Sequence, residues 1–309
     1  MSASEAAVLN LNDEDAYRGQ TLLQLALLRL RRDYLTLIAI TVILILAILA
    51  ILAPVISDAL GVTYRRTNLQ NTFAGIGSPG HVLGTDDLGR DQLSRLLYGA
   101  RVSLGIGFSA ALVSLLVGTT VGVVAGFYQG GRFGLIDDLI MWSVITLNSV
   151  PSLFLLLIIS AMLSPTVFTL ILILALLSWT STMRFVRGET LSHRSREYIV
   201  AAHAIGASTP RIMFLHILPN VFSVLAINLA SDIGGFILVE SALSFLNLGV
   251  RPPTPSWGNM LINAQTFYTK GVHLVMLPGL LIVITVLCLF LIGDGLRDAF
   301  DPQASKKVA

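Results

Sequence analysis

Long apolar stretches constrain this chain more than any other feature of its sequence. The first, Tyr34–Ile56, runs for 23 residues without a charged side chain. At about 1.5 Å per helical residue it spans roughly 34 Å, which is enough to cross a bilayer and too long for the core of a signal peptide. We therefore expect an uncleaved transmembrane helix here, preceded by a polar N-terminal tail, 1–33.

Five further stretches have the length and apolar character of transmembrane helices. They cover about Val102–Phe127, Leu135–Leu163, Thr166–Phe185, Val221–Leu246 and Val272–Ile292. Hydrophobic residues make up 54% of the chain and charged residues 12%, against roughly 25% charged residues in soluble domains. The sequence predicts an all-α integral membrane protein with six transmembrane helices in a lipid bilayer. No basic run exceeds two residues, so we expect no nucleic acid partner.

Four regions follow from the order of these spans. The tail 1–33 is followed by region 34–101, with the first transmembrane helix, an external loop and an interfacial helix. A five-helix core occupies 102–296 and contains a polar loop at 189–220, and a tail, 297–309, ends the chain.

The interfacial helix is predicted from charge spacing after Thr85, a plausible N-cap residue. The pairs Asp86 with Arg90 and Asp91 with Arg95 are each four residues apart, as in a helix with ion pairs on one face.

The distribution of basic residues predicts the orientation. Six spans place both termini and the 189–220 loop on one side of the membrane, and that side holds 13 of the 20 lysines and arginines. The positive-inside rule therefore places both termini and this loop in the cytoplasm.

The interval Glu197–Asn220 is the longest polar-edged segment in the C-terminal two-thirds of the chain. We expect a helix over Tyr198–Ile205 that ends at Gly206, and a second helix with Thr209 as N-cap and Pro210 at its first position. Small residues leave this elbow nearly bare of bulky side chains, and they are Ala201, Ala202, Gly206, Ala207 and Ser208. The segment thus has the features of a docking surface, and an ordinary loop between two spans is the alternative.

Polar residues inside the predicted spans are candidates for a translocation path. They are Asn148, Ser178, Asn228, Ser231, Asp232 and Glu240. Acidic groups are costly in lipid, so Asp232 and Glu240 should face protein or water. We expect Glu240 to be held by an arginine or by free backbone amides near the outer end of its span, and Asp232 to line a polar route. A stripe of small residues at four-residue steps, from Ala110 to Gly126, predicts a close helix contact.

The sequence contains no recognisable catalytic or metal-binding constellation. Its three lysines do not follow a glycine, so the phosphate-binding loop GxxxxGK[ST] is missing. The five histidines lack metal-ligand spacing, and the single cysteine, Cys288, cannot form an intrachain disulfide. We expect no cofactor on this chain, and any ATP must be bound by another one.

The elbow resembles the "EAA" loop of membrane subunits of ATP-driven importers. Two alanines, a glycine four residues after the second and a later Leu-Pro form that signature, and Ala201, Ala202, Gly206, Leu218 and Pro219 stand at these places. Val200 replaces the glutamate of the motif and His216 an isoleucine. These departures look like the dipeptide, oligopeptide and nickel branch of the family.

Three more blocks resemble the second, C-type membrane subunit of dipeptide and oligopeptide importers: LGTDDLGRDQLSRLLYGARVSL, ESALSFLNLGVRPPTPSWGNML from Glu240, and GDGLRDAF. The resemblance implies a fold like that of a type I ABC importer permease. It implies a second homologous membrane subunit, two ATPase subunits that bind ATP and Mg²⁺, and an extracytoplasmic substrate-binding protein, in a bacterial or archaeal inner membrane.

By the same resemblance the elbow is a coupling helix seated in a groove of one ATPase subunit. Its candidate contact residues are Glu197, Tyr198, Ala201, Ala202, Gly206, Ala207, Ser208, Pro210, His216, Leu218 and Pro219. The solute is a peptide on this interpretation, with nickel or another small solute as the alternative. A secondary ion-coupled transporter and a membrane scaffold are the other two classes. The first would need internal repeats, which we do not detect, and the second would not need polar residues in its spans.

Overall fold

The computed structural model describes residues 22–131, 133–163 and 166–300, which form helices and loops without a β-strand. The helices are α1 Leu22–Leu30, α2 Tyr34–Ile51, α3 Ala53–Ala59, α4 Gln92–Tyr128, α5 Gly134–Asn148, α6 Ser152–Leu163, α7 Val167–Arg194, α8 Glu197–Ala204, α9 Thr209–Phe245, α10 Ala264–Lys270 and α11 His273–Phe300. Five of them, α2, α4, α7, α9 and α11, are long and apolar enough to cross a membrane. The pair α5 and α6 makes a sixth span if its two bent halves are counted together. The predicted all-α membrane architecture is confirmed.

Helices α4 and α7 pack closely against each other over several turns. A Cβ atom at Gly118, Gly122 or Gly126 of α4 would come within 2.7 Å of a backbone carbonyl oxygen of α7. Since lipid supplies no water to expel, helices in membranes associate through such close packing of small residues. The close helix contact predicted from the small-residue stripe is confirmed, and the helix that packs on the stripe is α7 of the same chain.

The third predicted span is broken at its proline. Helix α5 ends at Asn148 and α6 begins at Ser152, and the two axes differ by 75°. Pro151 has no backbone N–H to continue the helical hydrogen bonds, so the break has a local cause. At the end of α5 the Ser149 hydroxyl donates to the carbonyl oxygen of Thr146 at 2.7 Å.

The interfacial helix expected from Thr85 is not formed, because residues 81–91 are a loop in the structure. Helix α4 begins at Gln92, and Asp91 caps it by accepting a hydrogen bond from the backbone N–H of Ser94 at 2.7 Å. From there α4 continues without interruption to Tyr128.

Polar contacts within the loop replace the expected helical spacing. Asp86 binds both Arg90, at 2.7 Å, and Arg95, while Asp91 binds His81 at 2.8 Å. The Asp86–Arg90 pair therefore forms without a helix, and the Asp91–Arg95 pair does not form. Several local hydrogen bonds outweigh a weak helical pattern here.

The two tails are described only in part, since 1–21 and 301–309 lie outside the described residues. Helix α1 packs on the end of α11, where the Arg29 guanidinium donates to the carbonyl oxygen of Ala299 at 3.2 Å. Helix α11 continues through the predicted boundary at 297 and reaches Phe300. The ends of the described chain thus meet at one end of the helix bundle.

Candidate functional site

The elbow, residues 197–220, begins with the short helix α8. Its last residue is Ala204, and Gly206 follows in the left-handed region at φ +85°. The N–H of Ala207 donates to the carbonyl oxygen of Ala202 at 3.0 Å, which closes the helix end. Glycine adopts this conformation without the steric cost that other residues meet, so the prediction that Gly206 ends the helix is confirmed.

The second helix of the elbow differs from the prediction in two ways. Ser208, and not Thr209, is the residue in extended conformation before the helix, and its side chain makes no capping hydrogen bond. The helix that starts at Thr209 is also not separate, because it continues as α9 to Phe245. Pro219 therefore lies inside a long helix, and the six residues 212–217 form a π-helical segment before it.

One face of the elbow is packed and the other is exposed. Ile199 and Ala202 are buried, with 1% and 5% of their surfaces exposed, among apolar side chains of α4, α7 and α9. On the opposite side Ile205 is 86% exposed and Val200 59%. Ala202 thus belongs to the packed base, contrary to the expectation that all five small residues lie on the bare surface.

The remaining predicted elbow residues divide in the same way. The exposed ones are Glu197, Tyr198, Ala201, Gly206, Ser208, Pro210 and Pro219, and the half-buried ones are Ala207, His216 and Leu218. Ile205 is a further exposed residue of the elbow, which the sequence interpretation did not single out. Its position directly before Gly206, which ends the helix, was the sequence signal that could have identified it as an exposed tip.

Polar contacts fix the elbow to the spans beside it. The Tyr198 hydroxyl lies 2.9 Å from Nδ1 of His193 in α7, and burial raises the pKa of Tyr198, so the phenol stays protonated near neutral pH. Arg194, the last residue of α7, donates to the carbonyl oxygens of Phe127 and Gln129 at 2.8 Å each. These bonds cover free carbonyls at the end of α4 and join it to the end of α7.

A charged pair lies deeper between α5 and α7. Arg187 donates to both carboxylate oxygens of Asp137, at 2.7 Å each. The sequence interpretation missed this pair because its members are 50 residues apart. Asp137 next to Asp138 in the first turn of a predicted span was the only local signal.

Glu240 is the most buried acidic group among the described residues, with no exposed surface. It accepts hydrogen bonds from the hydroxyls of Ser103, at 3.1 Å, and Ser244, at 2.7 Å. The expected arginine or backbone amides do not bind it directly. Backbone amides act one step away, because the N–H of Trp257 donates to Ser103 Oγ at 3.2 Å and that of Val250 to Ser244 Oγ at 3.0 Å.

Ser103 and Ser244, which we call the serine relay, attach the 246–263 loop to α4 and α9. Each hydroxyl accepts from a loop amide and donates to the carboxylate, so every group in the relay has a partner. Trp257 is fully buried beneath the loop, and its indole N–H donates to the carbonyl oxygen of Leu96 at 3.1 Å. Glu240 is therefore an internal structural contact and does not line an open route in this structure.

The other path candidates lie on three helices. Asn148 is exposed at the end of α5 and accepts a hydrogen bond from Thr180 of α7 at 3.3 Å. Ser178, Asn228, Ser231 and Asp232 are half-buried, the first on α7 and the others on α9. Asn228, Ser231 and Asp232 come close together along α9, while Glu240 lies on its packed side.

Acidic groups within a span cost about 2.5–3.5 kcal/mol when they insert into lipid without a partner. Glu240 avoids this cost through its serine donors. Asp232 has no hydrogen bond or ion pair to another described residue, so water or another molecule must solvate it.

Comparison with known families agrees with this architecture. A family model described as "Binding-protein-dependent transport system inner membrane component" matches residues 118–306, more than half of the chain. The chain belongs to this family. A second model, "N-terminal TM domain of oligopeptide transport permease C", matches residues 21–73, which contain α1, α2 and α3.

Two curated relatives are similar to this chain over nearly its whole length, and a third over about three quarters of it. The dipeptide transport system permease protein DppC of Alkalihalophilus pseudofirmus is 37% identical over 94% of this chain and 93% of the relative. The oligopeptide transport system permease protein OppC of Bacillus subtilis is 35% identical over 98% and 97%. The di/tripeptide transport system permease protein DppC of Pseudomonas aeruginosa is 41% identical over 74% of each chain.

The fold of this chain is similar to that of a chain in a solved structure. A chain of the MetNI methionine ABC transporter, in an inward-facing conformation, matches with a TM-score of 0.50 at 16% identity. The match covers 66% of this chain and 96% of that chain. This likeness concerns the fold alone, which is that of the type I ABC importer permeases.

Proposed function

We propose that this chain is a membrane subunit of an ATP-driven importer that takes up dipeptides or oligopeptides from a substrate-binding protein. Relatives similar over nearly the full length are named as dipeptide and oligopeptide permeases, which favours peptides over nickel or another small solute. The observation that carries the proposal is the elbow, with an exposed tip at Ile205 and a packed base at Ile199.

The elbow is suited to transmit motion between a soluble partner and the membrane. It connects α7 directly to α9, and Arg194 joins the same region to the end of α4. A displacement of α8 therefore acts on three spans together. Alternating access requires such movement of helices, and it requires no covalent chemistry on this chain.

The complete importer needs other chains. ATP and Mg²⁺ bind to two ATPase subunits, and the absence of a phosphate-binding loop from this sequence supports separate chains for that role. A second homologous permease forms the other half of the path, and the binding protein delivers the solute from outside. The excess of basic residues on the terminal side supports a cytoplasmic position for the elbow and both termini, in a bacterial or archaeal inner membrane.

The polar face of α9 is our proposed part of the path. Asn228, Ser231 and Asp232 contribute to it, with Ser178 of α7 and Asn148 of α5 as further candidates. The route through this half of the transporter then follows the side of α9 that does not pack on α4.

Uptake by proteoliposomes containing the purified complex tests the proposed function. With binding protein and labelled alanine peptides outside, accumulation should require ATP inside and persist when ionophores remove all ion gradients. Uptake that needs an ion gradient and no ATP would identify a secondary transporter. Accumulation of nickel in place of peptides would contradict the proposed substrate.

A further inference from the structure

The middle of α9 carries an acidic side chain without an internal partner. Asp232 lies 14 residues after Leu218 and 13 before Phe245, in the long α-helical part of α9. No hydrogen bond or ion pair connects its carboxylate to the rest of the described chain. Glu240, two helical turns further along, has serine donors at 2.7 and 3.1 Å. The same helix thus holds one satisfied and one unsatisfied carboxylate.

The side of α9 that carries Asp232 is open. Gly235 lies three residues further along, and a Cβ atom there would meet nothing within 4 Å. Asn228 lies one turn before Asp232 on the same side and is half-buried. The opposite side is packed, since Ile237 is fully buried and a Cβ atom at Gly234 would lie 3.5 Å from Leu289 of α11. The side of α9 that carries Asp232 is therefore uncovered in this chain, and the opposite side is packed.

We propose that Asp232 binds the α-ammonium end of a peptide as it passes along α9. This inference rests on the proposed function. An ammonium group has three N–H donors and a positive charge, and a carboxylate offers acceptors and the opposite charge. The side-chain carbonyl oxygen of Asn228 can accept a second hydrogen bond from the same group.

This subsite binds the amino terminus of the peptide and contacts none of its side chains. A single carboxylate with a neighbouring amide has no pocket for a particular residue, so peptides of different sequence present the same group to it. A transport site must also release its ligand, and one charged contact in a half-buried position is weaker than an enclosed site. The subsite therefore binds the peptide weakly and reversibly, and it favours entry of the peptide in one orientation.

Uptake of alanine peptides of two to five residues tests the inference, because their only cation is the amino terminus. The complete importer is reconstituted with the wild-type chain, Asp232→Asn or Asp232→Glu, at saturating binding protein. Asparagine keeps the shape and removes the charge, so the uptake rate should fall about tenfold, while glutamate should stay within about twofold. Copurification of the partner subunits should be unchanged in both variants, which shows that each complex has assembled.

A charge-restoration experiment separates charge from shape. Asp232→Cys is made in a Cys288→Ala background and treated with either a sulfonatoethyl or a trimethylammonioethyl methanethiosulfonate reagent. The two adducts are similar in size and opposite in charge. Uptake should recover with the sulfonate and stay low with the ammonium adduct. As a control, the neutral methyl reagent should give no recovery.

The outcomes distinguish a failure of the Asp232 subsite from a failure of the proposed importer function. Equal uptake by wild type and Asp232→Asn, or equal effects of the two charged reagents, would overturn the subsite and leave the importer function standing. If the wild-type complex accumulates no alanine peptide with ATP, the proposed function fails, and the subsite fails with it.

Discussion

Arg187 in α7 holds Asp137 in α5 through two parallel hydrogen bonds of 2.7 Å each. Asp137 is 3% exposed, so the pair is largely shielded from water. Arg187 lies seven residues before Arg194, the end of α7 from which the elbow begins. The pair therefore connects the helix that bears the elbow to the first half of the bent α5–α6 pair.

Asp137→Asn should weaken this connection. The amide removes the charge and one acceptor opposite the guanidinium, so we expect a loss on the order of 2 kcal/mol in the free energy of unfolding. Thermal unfolding of the purified complex measures the loss. Asp138→Asn, at the exposed neighbouring position, is the matched control and should change little. Equal unfolding temperatures for the two variants would show that the Arg187 pair contributes nothing to stability.

Ser103→Ala should destabilise the 246–263 loop. It removes a donor to Glu240 and leaves the buried N–H of Trp257 without its acceptor, at a cost of about 1–3 kcal/mol. Ser114→Ala is the control, since Ser114 lies buried on the same helix and its hydroxyl has no hydrogen-bond partner among the described residues. Limited proteolysis of the loop provides the readout. Unchanged cleavage in Ser103→Ala, or equal cleavage in both variants, would contradict the relay.

The helical spans were predictable because each depends on local composition. Uncharged runs of about 20 residues have few alternatives to a transmembrane helix, and Gly206 and Pro151 act through the backbone of their own segments. A close helix contact of α4 was also predictable, since small residues recur every fourth position along one face of α4, but the identity of α7 as its partner was not.

Two errors have different causes. Residues 81–91 have helical charge spacing, but polar contacts within the loop, such as those of Asp86 with Arg90 and Arg95, outweigh that pattern. Glu240 was expected to meet an arginine, and its donors come from Ser103, 137 residues away, and from Ser244 on its own helix. A single sequence contains no signal for such pairing.

Gly206→Leu should uncouple ATP hydrolysis from uptake. At φ +85° a leucine has a strained backbone, at a cost on the order of 1 kcal/mol, and its side chain occupies the space beside Ile205 that is open in the structure. Gly206→Ala is the control, because it has the strain without the bulk and should uncouple less. The ratio of peptides transported to ATP hydrolysed is the measurement. A wild-type ratio in the leucine variant would show that this surface tolerates bulk and is not a close docking contact.

Asp232→Cys should be accessible from water. In a Cys288→Ala background it should react with a small water-soluble thiol reagent, and faster during ATP turnover, when the path opens. Phe222→Cys and Leu238→Cys, at 60% and 44% exposed apolar positions of α9, are the lipid-facing references and should react slowly in every state. If Asp232→Cys reacts no faster than these references in any state, Asp232 is a packing residue outside the path.

Contact between the elbow and an ATPase subunit is the central claim, and Ile205 tests it most directly. Ile205→Cys in the Cys288→Ala background can be labelled with a benzophenone maleimide in the assembled importer and then irradiated. Because Ile205 is 86% exposed at the tip of the elbow, the cross-linked product should contain an ATPase chain. The same label on Met162→Cys, at a 79% exposed position on α6, should not yield that product. Cross-links from Ile205→Cys only to lipid or to the external binding protein would contradict the account.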